Sequence, residues 1–174
     1  FYLKDKYKLL QSGTFWLSET PEQVSKGWDA DCFRTATWVQ LQEIKTKKEF
    51  YFFNTHFDHK GEISRKESAK LVAEKIKEIA VKKANIIFGG DLNSAITDEI
   101  FNPLKKELNI ARECSPITDN KGTFNGFGSA PTSIVLDHFL CKNVVCKSFR
   151  TLDDDYGAPY ISDHYPIEFV FEIE

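Results

Sequence analysis

The hydrophobic and polar positions of this chain fall into two periods. Over roughly residues 62–82 the apolar residues Ala69, Val72, Ile76, Ile79 and Ala80 recur every three or four positions, with lysines and glutamates between them. That spacing predicts an amphipathic helix. Elsewhere the period is two. ATWVQLQEI at 36–44 alternates as a half-exposed strand, and the charged KTKK at 45–48 reads as a hairpin tip. The next strand, 50–57, opens with four aromatics, Phe50 to Phe53, as a strand buried on both faces does. NIIF at 85–88 is a short apolar strand that stops at Gly89-Gly90. The opening YKLLQSGTFWLSETP reads as a strand and a loop, and further strands are expected at 134–141, 144–150 and 167–173. A weaker helix lies within 98–108, started or interrupted by Pro103.

Strands outnumber helices and their order is mixed, which favours an α+β or layered α/β architecture over a Rossmann sheet. No repeat, low-complexity tract or long linker divides residues 1–174, so one domain is expected. A hydrophobic content of 41% supports a globular core, and no apolar run approaches the ~20 residues of a membrane span. The net charge of −3 argues against a domain that holds nucleic acid by bulk charge. The four cysteines show neither a CxxC pair nor zinc-finger spacing, and read as small buried hydrophobes. In an oxidising compartment Cys141 and Cys146 are the pair available for a bridge. The chain begins at Phe1 and has no methionine, so a native start is expected upstream and the compartment is left open.

Candidate chemistry gathers where apolar strands end. FNTHFDH at 53–59 places His56, Asp58 and His59 directly behind the aromatic strand. GGDLNS follows NIIF, and in an extended chain Asp91 and Asn93 project to one side. A carboxylate and a neutral amide suit a hard cation and a phosphate oxygen or water, whereas the purely structural reading is an Asx turn. The glycines would let a ligand approach the backbone. In LDHFL an acid and a histidine interrupt an apolar strand, so Asp137 requires a partner. SDHYPI places Asp163 and His164 before the last strand, where a rigid polar turn is the structural alternative. The histidines lie next to, or two residues from, an aspartate near a strand end. Phosphoryl chemistry needs that set: oxygen ligands for a divalent cation, a base for water, and donors around developing charge.

NTHFDH, GGDLNS, LDHFL and SDHYPI, in this order and at these separations, resemble the endonuclease/exonuclease/phosphatase superfamily, the DNase I-like enzymes. The flanking GTFWLSETPE…GWDADCFRTATW is similar to a bacterial subgroup of uncharacterised metal-dependent hydrolases within it. The resemblance implies a four-layer α/β/β/α sandwich with its site at the mouth between two sheets. It also implies phosphoester hydrolysis with Mg²⁺ or Mn²⁺. Carried over, His56 stabilises the scissile phosphate, Asp91 orients or deprotonates the attacking water near the metal, and Asn93 holds a phosphate oxygen or that water. Asp163 is a metal ligand, and His164, oriented by Asp137, is the second catalytic histidine, as base or phosphate donor.

The family pattern also has an early Asn and a Glu, the principal metal ligand, which would lie before Phe1. The chain then corresponds to the C-terminal two-thirds of a domain of roughly 250 residues. LDHFL departs from the pattern too, with His138 where an aromatic such as tyrosine is usual and Ser133-Ile134-Val135 where a basic residue often stands.

Further residues extend the site. Asp58 would share a strand face with His56 and support it, or make a loop contact. Arg34 would clamp a substrate phosphate or form a surface salt bridge. Trp28 would join Phe15, Trp16 and Trp38 in the core or line the substrate mouth, where Phe124 and Phe127 are the other candidates. The acidic balance favours a small or lipid phosphodiester or a phosphomonoester. A nuclease on single strands or ends is the competing enzyme, and a silent binding domain that has lost its metal site is the alternative of another class. The subgroup leans the expected location to a secreted or periplasmic bacterial protein.

Overall fold

The computed structural model describes residues 1–131, 133–155, 157–158 and 160–173. In chain order it contains β1 (Tyr7–Trp16), β2 (Thr35–Glu43), β3 (Glu49–His56), α1 (Glu62–Ile79), β4 (Ile86–Asp91), α2 (Asn102–Lys105), β5 (Asn109–Ile110), α3 (Ala111–Cys114), β6 (Asp137–Lys142), β7 (Val145–Thr151) and β8 (Ile167–Glu172). Six strands form one sheet in the order β1-β2-β3-β4-β6-β5, and β7 pairs with β8 in a second. Within the large sheet only β3 and β4 run parallel, because α1 crosses over between them.

The aromatic run of β3 explains the layering. Tyr51 and Phe53 face α1 and share a buried cluster with Ala69, Val72, Ala73 and Ile76 of the helix and with Ile86 and Phe88 of β4. Phe50 turns to the opposite face, where its ring lies 5.7 Å from Phe171 of β8. Phe139 of β6 extends that second core, 5.9 Å from Phe169 and 6.4 Å from Phe149. Burying each such side chain stabilises the fold by about 1.5–3 kcal/mol. The described residues thus supply three layers of a sandwich: helix, large sheet and small sheet.

Several expected boundaries are corrected. The weaker helix expected within 98–108 is present but short. A 3₁₀ turn, Glu99–Phe101, runs into the four-residue α2, which Pro103 opens because a proline lacks only an N–H that the first turn leaves unpaired. Strand β6 starts at Asp137 and not at 134. The Ile134 carbonyl accepts from Thr123 and Phe124 N–H groups, and the Leu136 and Asp137 N–H groups donate to Thr123 Oγ1 at 3.0 and 3.1 Å, which takes this segment out of the ladder.

Strand β4 runs through both glycines to Asp91. Gly90 has φ of +140°, and a Cβ there would fall on the Thr55 carbonyl oxygen, while one on Gly89 would strike the Phe139 ring. The glycines therefore serve close strand packing and not ligand approach. The disulfide joins Cys114 to Cys146, not Cys141 to Cys146. Cys141 is buried beside both sulfurs, and burial pushes its thiol up to about 11.

Candidate active site

Strand register builds the site. His56 ends β3, Asp91 ends β4 and Asp137 begins β6, and the ladders pair His56 with Asp91 and Asp91 with Asp137. Three polar side chains thus stand abreast on one rung. By strand alternation they share the sheet face that carries Phe50 and Phe139.

His164 reaches this rung from the loop before β8. Its Nδ1 is 2.7 Å from Asp137 Oδ2 and its Nε2 is 3.6 Å from Asp91 Oδ2. His56 Nε2 lies 3.2 Å from the same Asp91 oxygen, so both imidazoles converge on one carboxylate. The loop is held by 123–126: the Asp163 carbonyl accepts from the Asn125 and Gly126 N–H groups, Tyr165 N–H donates to the Thr123 carbonyl, and Asn125 Nδ2 donates to the Ser162 carbonyl. The Phe124 ring sits 5.0 Å from the His164 ring, edge-on.

Asn93 does not continue the extended chain. With φ of +49° it curls back, its N–H donating to Asp91 Oδ1 at 2.9 Å and its Nδ2 to the Phe57 carbonyl at 2.9 Å. The Asx turn and the candidate site are the same feature. Committing the amide nitrogen to Phe57 leaves Oδ1 as the free end.

These groups open on a cavity of about 610 Å³ lined by Arg34, His56, His59, Asp91, Asn93, Phe124, Leu136, Asp137, Ser162, Asp163 and His164. The volume matches small-molecule sites, which run about 300–1,000 Å³. Burial raises the proton affinity of Asp91, and Asp137 adds to it against the Asn93 N–H and the two histidines. Burial lowers that of His56, with Asp91 opposing. At His164 burial also disfavours the charged form, but the hydrogen bond and charge of Asp137, with Asp91 and Asp163, outweigh it and raise the pKa.

Asp58 makes the loop contact and does not support His56, and Trp28 neither joins the core cluster nor lines the cavity. Asp58 lies beyond the end of β3, fully buried, and does not line the cavity. Its oxygens accept from the Cys32, Lys60 and Gly61 N–H groups at 3.0, 3.0 and 2.8 Å, pinning the loop before β2 to the loop before α1. Trp28 is half-buried in the loop between β1 and β2, and is absent from the described cavity lining. His138 points to the other sheet face, buried, its Nε2 3.1 Å from the Ser94 carbonyl.

Thr123 escaped sequence reasoning. It is fully buried and its Oγ1 accepts from the successive N–H groups of Leu136 and Asp137, and nothing in GTFNGFG marks a threonine for that task.

Asp91, Asp137 and His164 offer ligand atoms within 4.8 Å of one another, and Asp163 lines the same cavity. Carboxylates are the donor chemistry of a hard divalent cation, and Asp91 and Asp137 of this group offer it.

The profile of the Endonuclease/Exonuclease/phosphatase family matches residues 13–164, and the chain belongs to this family, whose members hydrolyse phosphoesters. It is similar to the crystal structure of an endonuclease/exonuclease/phosphatase from Bacteroides vulgatus, with 35% identity and a TM-score of 0.91 over 99% of this chain and 69% of that one. A mannosyl-6-phosphatase from Bacteroides thetaiotaomicron is 35% identical, with a TM-score of 0.89 over 98% of this chain and 68% of its own. An uncharacterised protein of Acanthamoeba polyphaga mimivirus, L388, is 28% identical over 90% of this chain, which spans 63% of that relative's length. No helix among the described residues is long and apolar enough to cross a membrane.

Proposed function

We propose that this site hydrolyses a phosphoester of a small molecule with the help of a divalent cation, Mg²⁺ or Mn²⁺. The observation that carries the reading is the convergence of His56 and His164 on Asp91, with His164 locked by Asp137. Asp137 takes the Nδ1–H of His164, so Nε2 faces the cavity as the functional atom. Asp91 accepts the proton of the attacking water, and His56 and His164 donate to the phosphoryl oxygens as charge builds on them. Asn93 presents its amide oxygen to the water, its nitrogen being committed to Phe57. Asp163, with Asp91, would hold the cation, whose charge would offset that of the phosphoryl group. The relative described as a mannosyl-6-phosphatase supports phosphorylated sugars as substrates to assay.

The deciding assay uses the full-length protein with p-nitrophenyl phosphate, bis-p-nitrophenyl phosphate and a single-stranded oligonucleotide, in Mg²⁺, Mn²⁺ or EDTA. Cleavage of a small ester that EDTA abolishes is the expected result. Oligonucleotide cleavage with affinity falling steeply in salt would move the substrate to nucleic acid. Absence of both turnover and cation binding would make this a silent binding domain.

A further inference from the structure

One wall of the cavity carries a cation that the hydrolytic set leaves unused. Arg34 lines the cavity with His56, yet its side chain is only 14% exposed. Among the described residues its one anionic neighbour is Asp58, with Nε 3.6 Å from Oδ2, beyond hydrogen-bonding distance. Asp58 does not require it, because three backbone N–H groups already satisfy both carboxylate oxygens. Arg34 Nε is buried and has no hydrogen-bond partner. Nη2 lies 3.3 Å from Nδ1 of His59, which lines the same wall. A structural salt bridge would pair the guanidinium better. Here Asp58 faces its stem at salt-bridge distance without a hydrogen bond and His59 holds one tip, which leaves part of its donor set open beside the phosphate machinery.

A ligand's extra charge is what such a group fits. Near neutral pH a phosphomonoester carries close to two negative charges on three terminal oxygens, whereas a diester carries one on two. The two histidines account for two oxygens. A third needs another donor, and a planar guanidinium binds phosphate oxygens in a fixed fork. In a diester the second ester group would replace that oxygen, leaving Arg34 unpaired.

We propose that Arg34, positioned by His59 and Asp58, takes the third terminal oxygen of the substrate phosphate and so selects phosphomonoesters over diesters. This rests on the phosphoesterase reading for its catalytic consequence, but not for its binding one. Two measurements on the full-length protein keep them apart. In turnover, R34Q should lower kcat/KM for p-nitrophenyl phosphate and for a hexose 6-phosphate roughly 10- to 100-fold, while bis-p-nitrophenyl phosphate changes far less. R34K, which keeps the charge and loses the fork, should fall between. Equal losses on monoester and diester would overturn the proposal. In calorimetry, inorganic phosphate should bind more tightly than dimethyl phosphate, and R34Q should erase the difference. Equal affinities in the native protein, or a difference that survives in R34Q, would overturn it too. Arg34-dependent phosphate binding without turnover of any ester would instead remove the hydrolase reading and leave the subsite standing. Thermal melting of R34Q and R34K checks that each variant is folded.

Discussion

Asp137 and His164, 27 residues apart in sequence, meet at 2.7 Å. The contact is built from two sides: Thr123 Oγ1 holds the Asp137 N–H, and the 123–126 loop holds the backbone on either side of His164. An imidazole so fixed has one nitrogen committed and the other free for the phosphate. Replacing Asp137 with Asn gives the ring a donor as readily as an acceptor and releases the tautomer. Turnover should fall by ~10² in D137N and in H164A, with the double variant little worse than either. Single and double kcat values with matching melting curves check this, and fully additive losses would show that the pair does not act as a unit.

Asp91 is the carboxylate on which both histidines converge, and it also accepts the Asn93 N–H. Asp91→Asn should cut turnover by ~10² or more and weaken Mn²⁺ binding, since a neutral amide is a poorer base and ligand. Calorimetric titration beside kinetics tests both effects. Near-normal turnover would remove Asp91 from the mechanism.

Asp58 bears on stability. Burial favours its neutral form, but backbone N–H groups of Gly61, Cys32, Asp31 and Lys60 outweigh this and hold its carboxyl far below the usual range. The folded protein therefore binds fewer protons here than the unfolded chain below about pH 4. The stabilisation is fully present above the unfolded pKa and is lost as pH falls toward the folded one. Asp58→Asn should lower stability by about 2–3 kcal/mol at pH 7, because a buried anionic acceptor is lost, and the deficit should shrink as pH drops below about 4. Urea unfolding at both pH values measures it. A deficit that does not vary with pH would mean that the carboxylate is not the source.

Gly90 separates packing from ligand approach. Gly90→Ala places a methyl group on the Thr55 carbonyl in a backbone conformation that side chains rarely adopt, so β3 and β4 must move apart. A loss of about 2–4 kcal/mol in chemical denaturation is expected. An unchanged midpoint would show that the strands yield there.

The elements most legible in the sequence were those with a strong local period. The helix over 62–82 and the strands around 36–44 and 50–57 are written in alternation that each segment satisfies by itself. The start of β6 was misread because the N–H groups of Leu136 and Asp137 are taken by Thr123, a partner that no period announces. Among site residues, the four motifs named His56, Asp91, Asn93, Asp137, Asp163 and His164, and all six line one cavity. For Asp58 the strand-face reading fails because β3 ends at His56, and the loop contact holds, its carboxylate turning inward to backbone N–H groups.

The amino-acid sequence by itself determined which residues could do chemistry and on which strands they ride, because side-chain type and hydrophobic period are local properties. Only the tertiary structure decided that β3, β4 and β6 lie side by side in a register that puts His56, Asp91 and Asp137 on one rung. Only it placed Arg34 on the same cavity wall with its Nε lacking a hydrogen-bond partner. Register and pairing depend on contacts between segments far apart in the chain, and those are chosen by the packing of the whole core.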